Sequence, residues 1–459
     1  MCTERPAVLI GKPWARYVPS PDAPWNLQRV VHLHRRAGFA ATWSELQRDL
    51  KDGPNASIDR LLTGRTRCDG VPQDFVSTAD TLAIRAGSVE RLKAWWVYRM
   101  MFGPDPLTER LVSLWHNHFA TSAAKVGMAV HRQNEIFRRF ARAPFGELLR
   151  HVIHDPALLV WLDAPANRKE HPNENLGREL MELFTLGFGH YTEKDVKEAS
   201  RALTGWTVDE DKFKEDAGLH DPAEKTILGQ TGHWKGDDLV RLLLEHPATS
   251  ERLAFRICEL FMGDGATDVG GLKSLAAGLR EHHLDIGWAV ETVLRSEAFF
   301  ANANLGNRII GPVEYVVGAV RALELFDPAP STLILAEYIS NLGHDLFYPP
   351  NVFGWPGGRS WINSRSAIGR CNFALALAAG TELGRPMAFD PRVVAQRHGR
   401  DGDLAAIVNF YAELLLGVVP PGMWRDRLLK ALGPKLVADV PTSRQAVALV
   451  LASPEAQLS

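Results

Sequence analysis

Apolar residues recur at three- and four-residue intervals through most of this chain, in stretches such as "VERLKAWWVYRMMF", "LTERLVSLWHNHF", "NEIFRRFARAPFGELLRHVI" and "DIGWAVETVLRSEAFF". That spacing gathers the apolar side chains on one face of an α-helix. Strict alternation, the mark of a half-buried strand, is almost missing, and glycine and proline in "GPDP", "APFG", "GDG" and "IIGPVEY" cut the pattern into helices of ordinary length. These start and stop signals predict roughly fifteen helices and no sheet of consequence. The fold class expected is all-α, a large array of helices joined by long ordered loops.

Two segments break the periodicity. Residues 206 to 235, "WTVDEDKFKEDAGLHDPAEKTILGQTGHWK", are polar and rich in turn residues, and read as a long ordered loop with one short hairpin. Residues 347 to 366, "FYPPNVFGWPGGRSWINSRS", carry prolines and glycines that forbid a continuous helix, while their aromatics still need something to pack against. The division expected is an N-terminal extension over 1–27, a main helical domain over 28–384, and a linker with a small C-terminal helical segment over 385–459. There is no internal repeat.

Composition narrows the classes. The 459 residues are 46% hydrophobic, enough for a large core, and 52 Lys plus Arg against 54 Asp plus Glu leave a net charge of -2. No global field draws nucleic acid or an anionic membrane. Cys2, Cys68, Cys258 and Cys371 are far apart and form no metal-ligand spacing, so they read as reduced packing residues. Neither a basic leader followed by an apolar run nor an 18-residue apolar window occurs, so the expected location is the cytoplasm, with no membrane span.

Candidate chemistry concentrates in "HPNENLGRELMELFTLG", residues 171 to 187. At about 100° per residue, Leu176, Leu180, Met181, Leu183 and Phe184 share one arc, and Glu174, Asn175, Arg178, Glu179 and Glu182 share the other. Arg178 stands four residues from both Glu174 and Glu182, the spacing of helix-surface ion pairs, so a solvated charge ladder is the plain alternative to a site. In "LTERLVSLWHNHF", His118 falls among Leu111, Leu114, Trp115 and Phe119, while His116 falls opposite, beside Glu109; the two imidazoles cannot share a metal from one helix. A buried imidazole needs a partner, since an unpaired polar group costs roughly 1–3 kcal/mol. That partner is either a backbone carbonyl or a carboxylate from the 174–182 helix, and the second would form an acid/base pair. Thr192 and Asp195 have capping-box spacing.

The loops add binding candidates. His220, Asp221 and Lys225 lie in the polar loop, and Asn351, Trp355, Arg359, Trp361 and Asn363 in the aromatic one. Indoles beside amide and guanidinium donors suit a sugar or an anionic ligand, although plugging the loop onto helices is the commoner use of a tryptophan. Glycine-rich dinucleotide and phosphate loops, HExxH, GxSxG and EF-hand signatures are all missing.

The blocks "RRAGFA", "LWHNHFATS", "DPALLVWLDAPANRKEHPNENLGRELMELFTLGFGHYTEKDVKEASRALTGW", "HDPAEKTILGQTG", "LFYPPNVFGWPGGRSWIN" and "LVLASPEAQ" resemble the bacterial domain-of-unknown-function family numbered 1800, over nearly the whole chain. That resemblance implies a mostly helical protein without an assigned reaction, with exported relatives encoded beside a protein similar to phosphatases and sulfatases. Phe184 departs from the histidine expected in "ELHTLG". Two functions are therefore expected. The first is an enzyme using His118 with Glu174, Glu179 or Glu182, either in acid/base chemistry or as a carboxylate-rich metal site, with Arg178 neutralising charge and the "WPGGRSWIN" loop at the entrance. The second is a non-catalytic binding or assembly protein partnering the phosphatase-like neighbour. The cofactor, if any, is left unnamed.

Overall fold

Helix after helix begins on a side chain that satisfies a free backbone N–H. Asn26 accepts from the amide of Arg29 ahead of Leu27–Ala37, and Asp105 accepts from Thr108 at 3.0 Å with Pro106 in the first turn of Pro106–Phe119. Thr42 with Glu45, and Thr192 with Asp195, close reciprocal capping boxes, the latter as the sequence predicts. The computed structural model describes residues 13–67, 70–263, 267–433 and 437–459, so Cys2, Cys68 and the start of the expected N-terminal extension lie outside the described residues.

The architecture is an all-helical array, and its segments outnumber the sequence expectation because several are as short as Ala123–Val126 and Glu297–Phe300. The polar loop holds two antiparallel hairpins rather than one, Trp206–Asp209 with Lys212–Glu215 and Lys225–Ile227 with Gln230–Gly232. Among the described residues no helix is long and apolar enough to cross a membrane. Cys258 is buried, whereas Cys371 is exposed and packs nothing away. Beyond residue 385, Val440–Ala452 packs on Ser364–Ala379, and Leu404–Leu416 packs on Leu27–Ala37.

The core is continuous, with Trp95, Trp96, Trp115, Phe119, Phe137 and Phe145 at its centre. The Pro106–Phe119 helix crosses this core and is buried on both sides. Glu109, on the side opposite His118, is 4% exposed. Its carboxylate accepts from Arg138 at 2.7 Å, Arg99 at 3.2 Å and the Trp96 indole at 2.9 Å. Burial alone would raise its pKa, yet the two guanidiniums hold it down at about 2.

Arginines of the Leu27–Ala37 helix tie distant elements together by donating to carbonyls at helix C-termini, where the last turn leaves acceptors free. Arg29 reaches the Phe300 carbonyl at 3.1 Å, Arg35 the Leu415 carbonyl at 3.1 Å and Arg36 the Phe261 carbonyl at 2.7 Å. Arg36 also donates to the carbonyl of Ser459. Elsewhere Arg321 does the same for Met101, at 2.6 Å. Each such arginine satisfies a carbonyl left free where a helix ends.

Candidate functional site

The charged helix of residues 174–186 divides into two settings. Arg178 pairs with Glu174 and with Glu193, each at 2.8 Å, on a partly solvated face. The predicted Arg178–Glu182 pair does not form; Glu182 instead accepts from the Tyr191 hydroxyl. From Leu180 to Leu186 the helix widens to a π-helical turn, in which the Thr185 hydroxyl donates to the Leu180 carbonyl at 2.6 Å. Such turns shift side chains off the regular register. Burial and the neighbouring Glu182 outweigh Arg178 and raise Glu179 to about 7. A carboxyl whose folded pKa is raised favours the folded state while protonated, so this contribution is present below about pH 4.5 and is lost as pH climbs through about 7. Glu179→Gln is expected to flatten the stability curve across that window, as read by thermal melts at pH 4.5 to 8; an unchanged slope would count against the raised value.

The three residues of "HNH" have three different roles. His116 is 2% exposed and packs against Trp96, Phe347 and Trp355, with ring centroids 5.4–5.5 Å from its own. Asn117 accepts from the amide of Trp355 at 2.7 Å and so pins the aromatic loop to the helix. His118, 4% exposed, places Nε2 at 3.1 Å from the Phe184 carbonyl, and its Nδ1 has no partner among the described residues. Burial, then Arg256 and Arg252, push His118 well below the usual imidazole range, and it is neutral at physiological pH. No hydrogen bond or ion pair joins His118 to Glu174, Glu179 or Glu182 among the described residues. Nor, among these residues, does any group of three or more His, Cys, Asp or Glu side chains lie together as metal ligands would.

In the polar loop, His220, Asp221 and Lys225 are engaged in holding the loop. His220 Nδ1 contacts the Thr204 carbonyl at 3.0 Å, Asp221 accepts from Arg201 at 2.7 Å, and the Lys225 ammonium donates to the carbonyls of Asp221 and Ala223. In the aromatic loop, Asn351 closes a turn onto the amide of Phe353, and Asn363 caps Ser364–Ala379. Arg359 is exposed and forms no ion pair with the described residues. Trp355 and Trp361, by contrast, form a wall.

That wall faces a cleft of about 130 Å³ between the Pro106–Phe119 helix, the Pro247–Met262 helix and residues 308–314. Three guanidiniums converge there. Arg110 and Arg308 share the Glu314 carboxylate, with Arg308 at 2.6 Å, and Arg256 donates to Glu259 at 2.5 Å. Glu314 is 8% exposed; burial raises its pKa, but Arg110 and Arg308 prevail and hold it at about 2. Burial and Arg308 bring Arg110 down to about 10, still charged at neutral pH. Both Glu314 oxygens are taken, one by the arginines and the other by the amide of Gly311 at 2.5 Å. Donors are left over: Nε of Arg256 and of Arg308 have no partner among the described residues. His344 stacks on Trp361, 5.1 Å between centroids and 17° from parallel. Burial holds it at about 4, so it adds no charge. Three positive groups against two negative ones give the cleft a net charge of about +1 and more donors than acceptors.

Of the site predicted from sequence, the structure thus places Trp355 and Trp361 in the cleft and His118, through Arg256, behind it. Arg110, Arg256, Arg308, Glu314 and His344 were not anticipated. The available signal was a lone charge within an apolar run, as Glu314 stands in "PVEYVVGAV": a buried charge must be paired.

Fold and cleft together define an all-helical protein with a basic, tryptophan-walled pocket. Residues 32–458 match the family described as "Protein of unknown function (DUF1800)", and the chain belongs to that family. No curated protein and no solved structure matches it.

Proposed function

We propose that the protein binds a small oxyanion-bearing ligand in the cleft between Arg110, Arg256, Arg308 and the Trp355–Trp361 wall. The observation that carries this reading is the charge of the lining: three guanidiniums, of Arg110, Arg256 and Arg308, stand against two carboxylates, Glu259 and Glu314, that are already paired. An arriving oxyanion supplies the missing counter-charge. Charge-assisted bonds of this kind are about twice as strong as neutral ones. The cleft volume, below the roughly 300–1,000 Å³ of drug-sized pockets, favours a ligand of one group or one ring over a dinucleotide.

The assembly alternative expects an exposed Trp355 or Trp361, but Trp355 is 5% exposed and Trp361 half-buried. The acid/base alternative expects His118 to meet a glutamate, and its ring instead meets the Phe184 carbonyl. Calorimetric titration with sodium phosphate, sulfate and acetate, at ionic strength matched with chloride, tests the anion reading. Saturable binding is expected, weakened about tenfold (about 1.4 kcal/mol) by Arg256→Gln. Heats indistinguishable from those of chloride would sink it.

A further inference from the structure

The wall and rim of the cleft say more than its charge does. An inorganic anion would use the guanidiniums and nothing else, yet the same space is bounded by two indoles, and around them stand polar groups that can serve hydroxyls. Trp355 and Trp361 both line this space, Trp361 with His344 stacked parallel to it. Ser113 donates its hydroxyl to the Glu109 carbonyl at 3.0 Å, which leaves its oxygen free to accept. The Asn117 amide nitrogen, only 3.4 Å and weakly bonded to the Trp355 carbonyl, is a further donor. Gly357 and Gly358 carry no side chain over the opening, and a Cβ at Gly357 would have nothing within 4 Å. Flat aromatic surface beside alternating donors and acceptors is what a hydroxylated ring needs, because its C–H faces lie on the indole while each hydroxyl finds a partner. A purely aromatic acid would bury the same Ser113, Asn117 and indole groups without bonding them, at a cost for each.

Building on the anion-binding reading, we infer that the ligand is an acidic sugar: a single monosaccharide ring carrying a carboxylate or a phosphate, with the acidic group on Arg256 and Arg308 and the ring against Trp361. The recognised unit is a monosaccharide or the end residue of a chain.

The test is calorimetry on the full chain with glucuronate, glucose 6-phosphate, glucose, acetate, inorganic phosphate and benzoate. One of the two acidic sugars is expected to bind at least ten-fold more tightly than its matching bare anion, and glucose to give no measurable binding. Trp361→Ala is expected to lose the preference, so that the acidic sugar binds no more tightly than the bare anion binds to the same variant. Trp361→Phe, which keeps a ring and loses the N–H, should retain part of the preference; circular dichroism and a thermal midpoint close to that of the unsubstituted chain establish that both variants are folded. Equal affinity for sugars and bare anions, with both Trp361 variants silent, would overturn the inference and leave the anion reading standing. Benzoate binding more tightly than either acidic sugar would overturn it in favour of an aromatic acid. Absence of binding to every anion would end both.

Discussion

Replacing Glu314 with alanine is expected to destabilise the protein by about 3–5 kcal/mol, because it leaves two buried guanidiniums facing each other without their shared counter-charge. Arg110 is 5% exposed, and Arg308 has no second carboxylate among the described residues. Glu314 also accepts from the Gly311 amide in the first turn of Pro312–Ala322, so the alanine strips a helix start as well. Glu314→Gln keeps the volume and that acceptor but not the charge, and should cost less than the alanine. Urea titration reads the effect as a lower midpoint at constant slope. A distinguishing feature follows from the cleft chemistry: phosphate or acetate should recover part of the lost stability in Glu314→Ala more than it raises the wild type, because the added anion replaces the missing carboxylate. A loss below about 1 kcal/mol would mean that the arginines are solvated after all.

Gly354→Ala is expected to detach the tryptophan wall. Gly354 has φ +76°, where a side chain is strained by about 1–2 kcal/mol, and a Cβ there would lie 2.1 Å from Asn117 Oδ1 and 2.5 Å from the Asn117 carbonyl. Asn117 must move, and its 2.7 Å bond from the Trp355 amide goes with it, adding about 1 kcal/mol. The total expected is about 2–3 kcal/mol, together with loss of ligand binding as Trp355 and Trp361 shift. Gly357→Ala is the control: its φ is +70°, but its Cβ would meet nothing within 4 Å, so it carries the backbone strain alone. If the two alanines melt alike and both bind ligand, the Asn117 contact does not hold the wall.

How far the sequence reached is clearest in the Pro106–Phe119 helix. Periodicity identified the helix and the buried face of His118, because an apolar stripe states its own burial. It left the burial of the opposite face open, since the partner that lets Glu109 be buried, Arg138, stands twenty-nine positions later. The capping box at Thr192 was legible because cap and partner lie three residues apart. The cleft was not, because Arg110, Arg256, Arg308 and Glu314 come from elements related only by the folded topology. The π-helical turn at Leu180–Leu186 was equally hidden, as its apolar residues satisfy an ordinary helical period until Glu179 and Glu182 are placed together.

The arginine ties of the Leu27–Ala37 helix bear on the order of assembly. Arg36 waits for the Phe261 carbonyl 225 positions on and for Ser459 423 positions on, and Arg35 for Ala456 421 positions on. Closing loops of that span is what slows folding. With acceptors hundreds of positions downstream, the cationic side chains of this helix find their interior partners later than locally paired groups do.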